Sequence, residues 1–387
     1  MVVDAAVGAW LRSSAIRRVR MIPFFNLKPL HDELSGPLRD AVARVVASGW
    51  YVLGPEVEAF ERELAEFLTT QHAVGVANGT DAIELALRAM GISPGAEVIT
   101  VSHTAVPTVS AIERAGARAV LVDIDRETYT LDPTCLDNAI TPRTEAIVPV
   151  HLYGHPANMP AIVEIAQRHN LAVIEDCAQA LGANCHGRPV GTWGNAAALS
   201  FYPTKNLGAC GDAGAVVTNE TSIAENVKRL RSYGQVDRDH FEERGINSRL
   251  DEIQAAILRI KLRRLDIELA GRRCLAEEYN KVLRGVATPV ERPDCTHAYC
   301  LYVVRHPQRD LLREACQRSG IGTLVHYPIP VHRQRAYANL GYAEGSLPET
   351  EAAAAEVVSL PLYVGLTREE VRRVAQTLSQ CLAGAQA

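Results

Sequence analysis

The chain has 387 residues, 47% hydrophobic and 22% charged, a composition typical of a globular protein of about two to three domains. The formal net charge of −5 gives no basic field that would favour nucleic acid or an anionic membrane. No uninterrupted apolar run approaches the ~18 residues that span a bilayer, so we expect no membrane segment.

The nine cysteines are scattered, odd in number and never spaced as C-x-x-C. This pattern favours reduced thiols in the cytoplasm over a disulfide framework or a zinc site. In the first twenty residues, basic side chains follow the apolar run instead of preceding it, which is the wrong order for a secretion signal. We expect residues 1–20 to be a disordered extension or an over-long start.

Helical spacing of apolar residues predicts helices over 38–47 and 55–67. The connection between them, residues 48–55, carries Trp50 and Tyr51 between glycines and a proline, which indicates a loop. This loop is either a simple connection or part of the entrance to a substrate site.

From His72 to Asp176, apolar runs alternate with helical stretches. We expect strands over 73–77, 97–101, 119–122, 146–151 and 171–175, and helices over 80–90, 103–115 and 160–169. The alternation predicts an α/β fold in which helices cover a largely parallel sheet. No G-x-G-x-x-G follows the first strand, which argues against a dinucleotide site.

Polar side chains cluster at the expected carboxyl ends of the strands, where open parallel sheets bind ligands. These stretches are Asn78 to Asp81, Ser102 with His103, His151 to Gly154, Asp176 to Gln179, and Tyr202 to Lys205.

Lys205 stands on a short bend between two strand-like runs, residues 196–201 and 215–218, with Gly208 close behind it. A lysine held in this way can present its amine to a flat cofactor that carries an aldehyde. Pyridoxal phosphate (PLP), bound as a Schiff base, is the common one. The alternative is an ordinary lysine of a surface loop.

The neighbouring polar groups suit the other atoms of such a cofactor. Gly79 and Thr80 begin a helix, where free amides, a hydroxyl and the helix dipole attract a phosphate, and the Ser200 hydroxyl can join them. Asp176 ends a buried strand and needs a cationic partner, which a protonated pyridine nitrogen provides. Alternatively, Thr80 and Asp176 are helix caps and Ser200 bonds to backbone.

Two further side chains can contact the ring itself. Gln179 can reach the ring hydroxyl if the segment after Asp176 turns helically. His103 offers a flat ring for stacking on the cofactor face. The alternatives are a solvated amide and a core histidine.

The rest of the chain predicts a linking helix and a second, smaller domain. The expected elements are helix 223–233, mobile segment 234–245, a capping box from Ser248 to Asp251 that opens a long helix, strand 297–304, and helices 308–319, 352–358 and 369–382. We expect a large domain over 21–262 and a C-terminal α/β domain over 263–387.

A proline-rich loop in this smaller domain carries His326, Tyr327 and His332. The two histidines have no third ligand at a suitable spacing, so we expect no metal site. We expect these side chains and Tyr202 to bind a polar substrate.

Four separated motifs together are typical of one enzyme family. They are Asn78 to Asp81, Glu175 to Gln179, Ser200 to Lys205, and Gly245 to Ala255. With them the chain closely resembles the DegT/StrS nucleotide-sugar aminotransferases, which are fold-type I PLP enzymes. The resemblance covers nearly the whole chain from Met21.

The resemblance implies that Lys205 binds the PLP aldehyde and later moves a proton. It implies that Asp176 pairs with the pyridine nitrogen and Gln179 with the ring hydroxyl. His103 falls where the family stacks an aromatic side chain on the ring.

The family's phosphate contacts fall on Gly79, Thr80 and Ser200. Asn247 matches a residue that reaches the phosphate of the partner subunit, which implies a homodimer with shared sites.

The stretch from Gly322 to His332 is most similar to members that act on dTDP-linked 3-keto-6-deoxy sugars, with glutamate as the amino donor. Transamination at sugar C4, or of a cyclitol ketone, is an alternative. A non-catalytic regulator that keeps the fold is another. Members with histidine in place of the lysine are dehydratases, and Lys205 argues against that activity.

Overall fold

The computed structural model describes residues 21–385, so the prediction for residues 1–20 lies outside the described residues. The helices are α1 (Lys28–Glu33), α2 (Ser35–Ser48), α3 (Pro55–Leu68), α4 (Gly79–Ala89), α5 (Val106–Arg114), α6 (Leu136–Ala139), α7 (Met159–Arg168), α8 (Thr221–Leu230), α9 (Glu252–Leu262), α10 (Leu265–Val282), α11 (Arg309–Arg318), α12 (Pro348–Glu356) and α13 (Arg368–Ala385). The strands are β1 (His72–Val76), β2 (Glu97–Val101), β3 (Arg118–Val122), β4 (Thr144–Ile147), β5 (Ala172–Asp176), β6 (Asn184–Cys185), β7 (Arg188–Pro189), β8 (Ala196–Ser200), β9 (Gly214–Thr218), β10 (Gln235–Asp237), β11 (His240–Phe241), β12 (Cys295–Thr296), β13 (Tyr302–Arg305) and β14 (Val357–Leu360).

A seven-stranded sheet organises the larger part of the chain, in the order β1-β9-β8-β5-β4-β2-β3. Only β9 runs against the others, because it pairs antiparallel with both β1 and β8. The carboxyl ends of the six remaining strands therefore lie at one edge of the sheet. This confirms the predicted α/β fold with a mostly parallel sheet.

Helices bury both faces of this sheet. Along β8, Ala196 and Ala198 pack into the core beneath α4, α5 and α8. Ala197 and Leu199 point to the opposite face, where α3 and α9 pack. Successive strand residues alternate between faces, so covering both faces requires the near-continuous apolar runs seen in the sequence.

The C-terminal part has its own core, built from β13, β14, α10, α11 and α13. Ile22 belongs to this core and exchanges backbone hydrogen bonds with Gly320 and Gly322. The N-terminal end of the described chain thus packs on the smaller unit, whereas the predicted boundary assigns it to the larger one. No helix within residues 21–385 is long and apolar enough to cross a membrane.

Two predicted boundaries are wrong next to prolines. The strand predicted over 146–151 ends at Ile147, because Pro149 has no N–H to donate to the ladder. The helix predicted from residue 103 begins at Val106, with Pro107 in its first turn. Residues 103–105 are instead a loop at the carboxyl edge of the sheet.

The smaller elements differ more. The segment 234–245, predicted as mobile, contains the hairpin β10–β11. The strand predicted over 297–304 is confined to Tyr302–Arg305, which pairs with β14.

The predicted capping box at Ser248 is also wrong. Helix α9 begins at Glu252, and its N-cap residue Asp251 makes no side-chain cap. The Ser248 hydroxyl donates to Asp81 (2.8 Å) and accepts the Ala77 N–H (3.0 Å), so tertiary partners take the place of the local cap.

The carboxylate of Glu252 fastens the loop that carries Trp50 to the large domain. It is 1% exposed and accepts the N–H groups of Gly54, Glu56 and Val57 at 2.8–2.9 Å, which caps α3. A hydrogen bond to a charged group contributes more to the free energy of unfolding than a hydrogen bond between two neutral groups.

We expect Glu252→Gln to lower the free energy of unfolding by about 2 kcal/mol, because an amide brings N–H groups against these donors. Urea denaturation measures the change, with Glu66→Gln on the exposed face of α3 as the control. Equal stability of the two variants would contradict the capping role.

Candidate active site

A cavity of about 280 Å³ opens at the carboxyl edge of the sheet, beyond β1, β2, β5 and β8. Predicted site residues that line it are Gly79, Thr80, Asp176, Gln179, Ser200, Tyr202 and Lys205. These residues are far apart in the sequence, and the parallel strands bring them together.

One end of the cavity is the start of α4. The Asn78 side chain accepts the Asp81 N–H (2.8 Å) and its carbonyl accepts the Ala82 N–H (3.1 Å). The amides of Gly79 and Thr80 are left without an intrahelical acceptor. Together with the helix dipole they form a binding site for an anion.

Close packing fixes this anion site. A Cβ atom at Gly79 would lie 2.7 Å from the Ser200 Cβ, and one at Gly214 would lie 2.4 Å from the Asn78 carbonyl carbon. Glycine at both positions lets the turn before α4 sit directly on β8 and β9. The Ser200 hydroxyl is thereby brought beside the free amides.

Asp176 lies in the cavity wall as a buried carboxylate, 5% exposed. It accepts hydrogen bonds from the Thr108 hydroxyl (2.8 Å) and the Ala178 N–H (3.1 Å). Within the described part of the chain, no basic side chain forms an ion pair with it. A buried carboxylate without a counter-charge is costly, and the nitrogen of a protonated pyridine would supply that charge.

Lys205 is held on the predicted bend. Its N–H donates to the Tyr202 carbonyl and the Ala209 N–H donates to the Phe201 carbonyl, both at 2.8 Å. The side chain is half-buried and lines both the cavity just described and a larger one of about 410 Å³. Its amine is therefore placed between two binding spaces.

The second cavity has mainly apolar walls with a few polar groups. Phe24, Phe25 and Leu324 contribute the apolar surface. The predicted substrate residues Tyr202, His326 and Tyr327 also line it. A small number of polar groups in an apolar cavity is typical of a site that orients a small molecule.

Gln179 lies between the two cavities and is fixed at both ends. Its oxygen accepts the Tyr153 N–H (2.7 Å) and its nitrogen donates to the Tyr327 hydroxyl (2.9 Å). One N–H remains for a ligand, because an amide nitrogen carries two.

His326 is a neutral imidazole beside Lys205. Burial, and secondarily the Lys205 charge, lowers the pKa of His326 to about 4. Its Nδ1 is 2.8 Å from the Ser359 hydroxyl. Near pH 7 the ring can accept or donate a hydrogen bond without adding charge to the site.

Three predicted site residues do not line either cavity. His103 is fully buried, with Nε2 2.7 Å from the Tyr153 hydroxyl, and Thr104 and Ala105 line the cavity in its place. His332 is 4% exposed and lies between the Ser102 hydroxyl (2.7 Å) and Glu351 (3.2 Å), so the predicted substrate contact is not supported.

The third, Asn247, is exposed on the surface of its own chain. It bridges to Ser232 through the backbone, away from both cavities. Its side chain is therefore accessible to another molecule.

The position of His103 makes stability depend on pH. The Tyr153 hydroxyl donates to the His326 carbonyl and so accepts the His103 Nε2–H, which leaves the buried Nδ1 without a partner among the described residues. Burial lowers the pKa of His103 to about 4. The folded protein therefore binds this proton more weakly than the unfolded chain does.

We expect this group to contribute about 3 kcal/mol of stability above about pH 6.5, lost as the pH falls to about 4. His103→Gln should flatten this part of the dependence, whereas His240→Gln on the exposed hairpin should not. Urea denaturation at several pH values measures both. An unchanged slope in His103→Gln would contradict the assignment.

Potential metal ligands within residues 21–385 come together at His151, Glu175 and Cys177. His151 Nδ1 accepts the Ala157 N–H (2.9 Å), so Nε2 carries the proton and donates to Glu175 (3.0 Å). Glu175 also accepts the backbone N–H groups of Gly191, Trp193 and Gly194. His151 and Glu175 thus form a hydrogen-bond network in which their ligand atoms are already used.

Thr108 and the apolar wall of Phe24 and Phe25 are candidate site residues that the sequence did not reveal. A threonine inside a predicted helix carries no chemical motif, although its spacing of five from His103 places it near the same strand end. The phenylalanines precede the first strand by some fifty residues, and only the tertiary fold brings them to Lys205.

The chain is similar to known proteins of one family over most of its length. The model of the DegT/DnrJ/EryC1/StrS aminotransferase family matches residues 34–379. The chain is 49% identical over 356 residues to the dTDP-3-amino-3,4,6-trideoxy-alpha-D-glucose transaminase of Streptomyces venezuelae, covering 91% of this chain and 94% of the relative. It is 48% identical over 360 residues to the erythromycin biosynthesis sensory transduction protein EryC1 of Saccharopolyspora erythraea, covering 92% and 98%.

A solved structure is similar over the same extent. DesV of S. venezuelae, in complex with a ketimine intermediate, superposes with a TM-score of 0.91 at 48% identity, covering 93% of this chain and 98% of that chain.

Proposed function

Because the chain belongs to the DegT/DnrJ/EryC1/StrS aminotransferase family, we propose that it converts a dTDP-3-keto-6-deoxyhexose to the dTDP-3-amino sugar. PLP is the proposed cofactor and glutamate the proposed amino donor. The observation that carries the proposal is the cavity shared by Lys205, Asp176 and the start of α4. Relatives named as transaminases of dTDP-3-amino sugars support the substrate class.

The residues of the cavity fit PLP. The Gly79 and Thr80 amides and the Ser200 hydroxyl would hold the phosphate, and the buried carboxylate of Asp176 would hold the protonated ring nitrogen. The free N–H of Gln179 would reach the ring oxygen. When bound, PLP supplies an aldehyde that accepts an amino group and a ring that withdraws electrons from a breaking C–H bond.

Lys205 has two tasks in this proposal. Its amine binds the aldehyde before the amino donor arrives. Once free, the amine would act as a general base that removes the proton from the α-carbon of the amino donor, and in the second half-reaction it would deliver a proton to the sugar carbon that receives the amino group. Its position between the two cavities allows both tasks.

The larger cavity would receive the sugar. Tyr202 and Tyr327 offer hydroxyl groups, and His326 offers a neutral imidazole. Phe24 and Leu324 would pack against carbon atoms that carry no hydroxyl, which a deoxy sugar provides.

We further propose a homodimer in which Asn247 contacts the phosphate of the partner subunit. Asn247 is exposed. On one side, Val52 bridges to Asp251, and the ring of Trp50 two residues earlier is 57% exposed. On the other side, Asn247 bridges to Ser232, and the ring of Phe241 in the hairpin that follows is 52% exposed. Exposed apolar surface of this kind marks interaction sites. Sedimentation equilibrium should give the mass of two chains.

The cytoplasm is the proposed compartment, because all nine cysteines are free thiols, as a reducing cytosol favours.

Incubation of the purified protein with PLP, glutamate and either a dTDP-3-keto or a dTDP-4-keto sugar tests the activity. We expect amine formation at C3, identified by NMR of the product. Amination at C4, or of a cyclitol ketone only, would replace the proposed substrate. No turnover with any ketone would favour a regulatory protein.

A further inference from the structure

A second group of charged side chains lies behind the bend that carries Lys205. A small cavity of about 20 Å³ separates this bend from α9 and α10. Its lining includes Lys205, Asn206, Lys261 and Glu268. None of the groups on its far side takes part in the proposed chemistry.

The bend itself is folded tightly on its own backbone. A Cβ atom at Gly208 would lie 2.3 Å from the Pro203 carbonyl oxygen, so the two ends of the bend are in direct contact. This folding turns the Gly208 carbonyl toward the interior, where the Lys261 ammonium donates to it at 2.7 Å. Lys261 Nζ also lies 3.1 Å from Nε2 of His31, which accepts its second hydrogen bond.

Lys261 is unusual for a lysine because it is only 3% exposed. A buried ammonium is stable only with a counter-charge and a full set of hydrogen bonds. Glu268, 8% exposed, is the acidic side chain that acts on it by charge.

Two buried acceptor atoms on this cavity have no partner among the described residues. They are Oε1 of Glu268 and Oδ1 of Asn206, and Asn206 directly follows Lys205. A polar cavity of about 20 Å³ has room for one water molecule. A water there would accept from Lys261 and donate to both oxygens, which completes the hydrogen bonds of all three groups.

We propose that Lys261 is a positioning residue for Lys205. Its ammonium holds the bend over 203–208 through the Gly208 carbonyl, with Glu268 as counter-charge through a bound water. The inference rests on the proposed function at one point: it takes Lys205 as the residue whose amine must be held in position to react. Misplacement of a reacting group by about 1 Å can cost 10²-fold in rate.

Lys261→Met tests the inference, because methionine fills a similar volume without a donor. We expect kcat to fall at least about tenfold, with KM for the keto sugar within about twofold. In the protein without substrate, amide exchange at Lys205 and Ala209 should accelerate at least about tenfold, while exchange in β1 and β5 stays unchanged. Lys281→Met, an exposed lysine paired with Glu277, is the matched control.

The double variant Lys261→Met with Glu268→Gln removes both charges, and it decides the question if the single variant does not fold. It should fold with normal exchange in the sheet and still show the fast exchange at Lys205 and the low kcat. Wild-type exchange across the bend, or a fall in kcat without faster exchange there, would overturn the proposal. Because exchange is measured without substrate, it tests the positioning role even if the wild-type protein transfers no amino group.

Discussion

Lys205→Ala is expected to lower the rate of amino transfer by at least about 10³-fold. The variant loses both the amine that binds the cofactor aldehyde and the base that moves the proton, and acid–base catalysis alone is worth 10²–10⁴-fold. Alanine also enlarges both cavities, because Lys205 lines each of them. The rate of amino-sugar formation from glutamate and the keto sugar measures the loss.

Lys228→Ala is the matched control, since this lysine lies on the exposed face of α8. It should retain the wild-type rate and the absorbance band of the lysine-bound cofactor, whereas Lys205→Ala should lose both. A Lys205→Ala variant that turns over at the control rate would show that another amine does the chemistry.

Asp176→Asn is expected to reduce kcat about 10²-fold, through the loss of about 3 kcal/mol of transition-state stabilisation. The amide keeps the shape of the side chain but no longer carries the charge that holds a ring nitrogen protonated. Thr108 and the Ala178 N–H, which now bond the carboxylate, leave only a neutral environment for the ring.

The same change should have the opposite effect on the protein without cofactor. There the buried carboxylate has no counter-charge within the described chain, so a neutral amide should leave Tm unchanged or raise it. Asp137→Asn, at an exposed ion pair with Arg168, is the control for both measurements. A large fall in Tm of the cofactor-free Asp176→Asn variant would show that this carboxylate is a structural group and not a cofactor ligand.

The central site could be predicted because its residues lie at the ends of strongly apolar strands or in the short segments that follow them. Asp176 and Ser200 follow runs that are buried on both faces, and such runs predict strands whose ends meet at one edge. Gly79 and Thr80 follow the same rule at the end of β1. The antiparallel direction of β9 could not be predicted in this way, because an apolar run does not show in which direction the strand runs.

His103 and His332 could not be placed from the sequence, since the outcome depends on tertiary partners. Tyr153 reaches His103 from fifty residues away, and Ser102 reaches His332 from 230 residues away. A histidine at a strand end indicates a ligand-binding site only if no other side chain of the fold takes up its hydrogen bonds. The amino-acid sequence does not show which distant side chains will contact a given histidine.

The smaller unit was predicted least well because its elements are short or strongly charged. Helix α10 carries its apolar residues Leu265, Leu269 and Ala276 at helical spacing, but Arg272 and Glu268 interrupt the pattern at buried positions. Burial of Arg272 is offset by its hydrogen bonds to the backbone carbonyls of Tyr299 and Leu362, and its charge attracts that of Glu268. The spacing of apolar residues alone therefore does not predict a buried helix face that includes charged side chains.

Borohydride reduction of the PLP-loaded protein, followed by peptide mass spectrometry, tests most directly whether Lys205 is the residue that binds the cofactor. We expect the mass of a reduced pyridoxyl phosphate group on the peptide that contains Lys205, and we expect this label to be lost when glutamate is added before the borohydride. Attachment to any other lysine, or labelling of Lys205 that glutamate does not prevent, would contradict it.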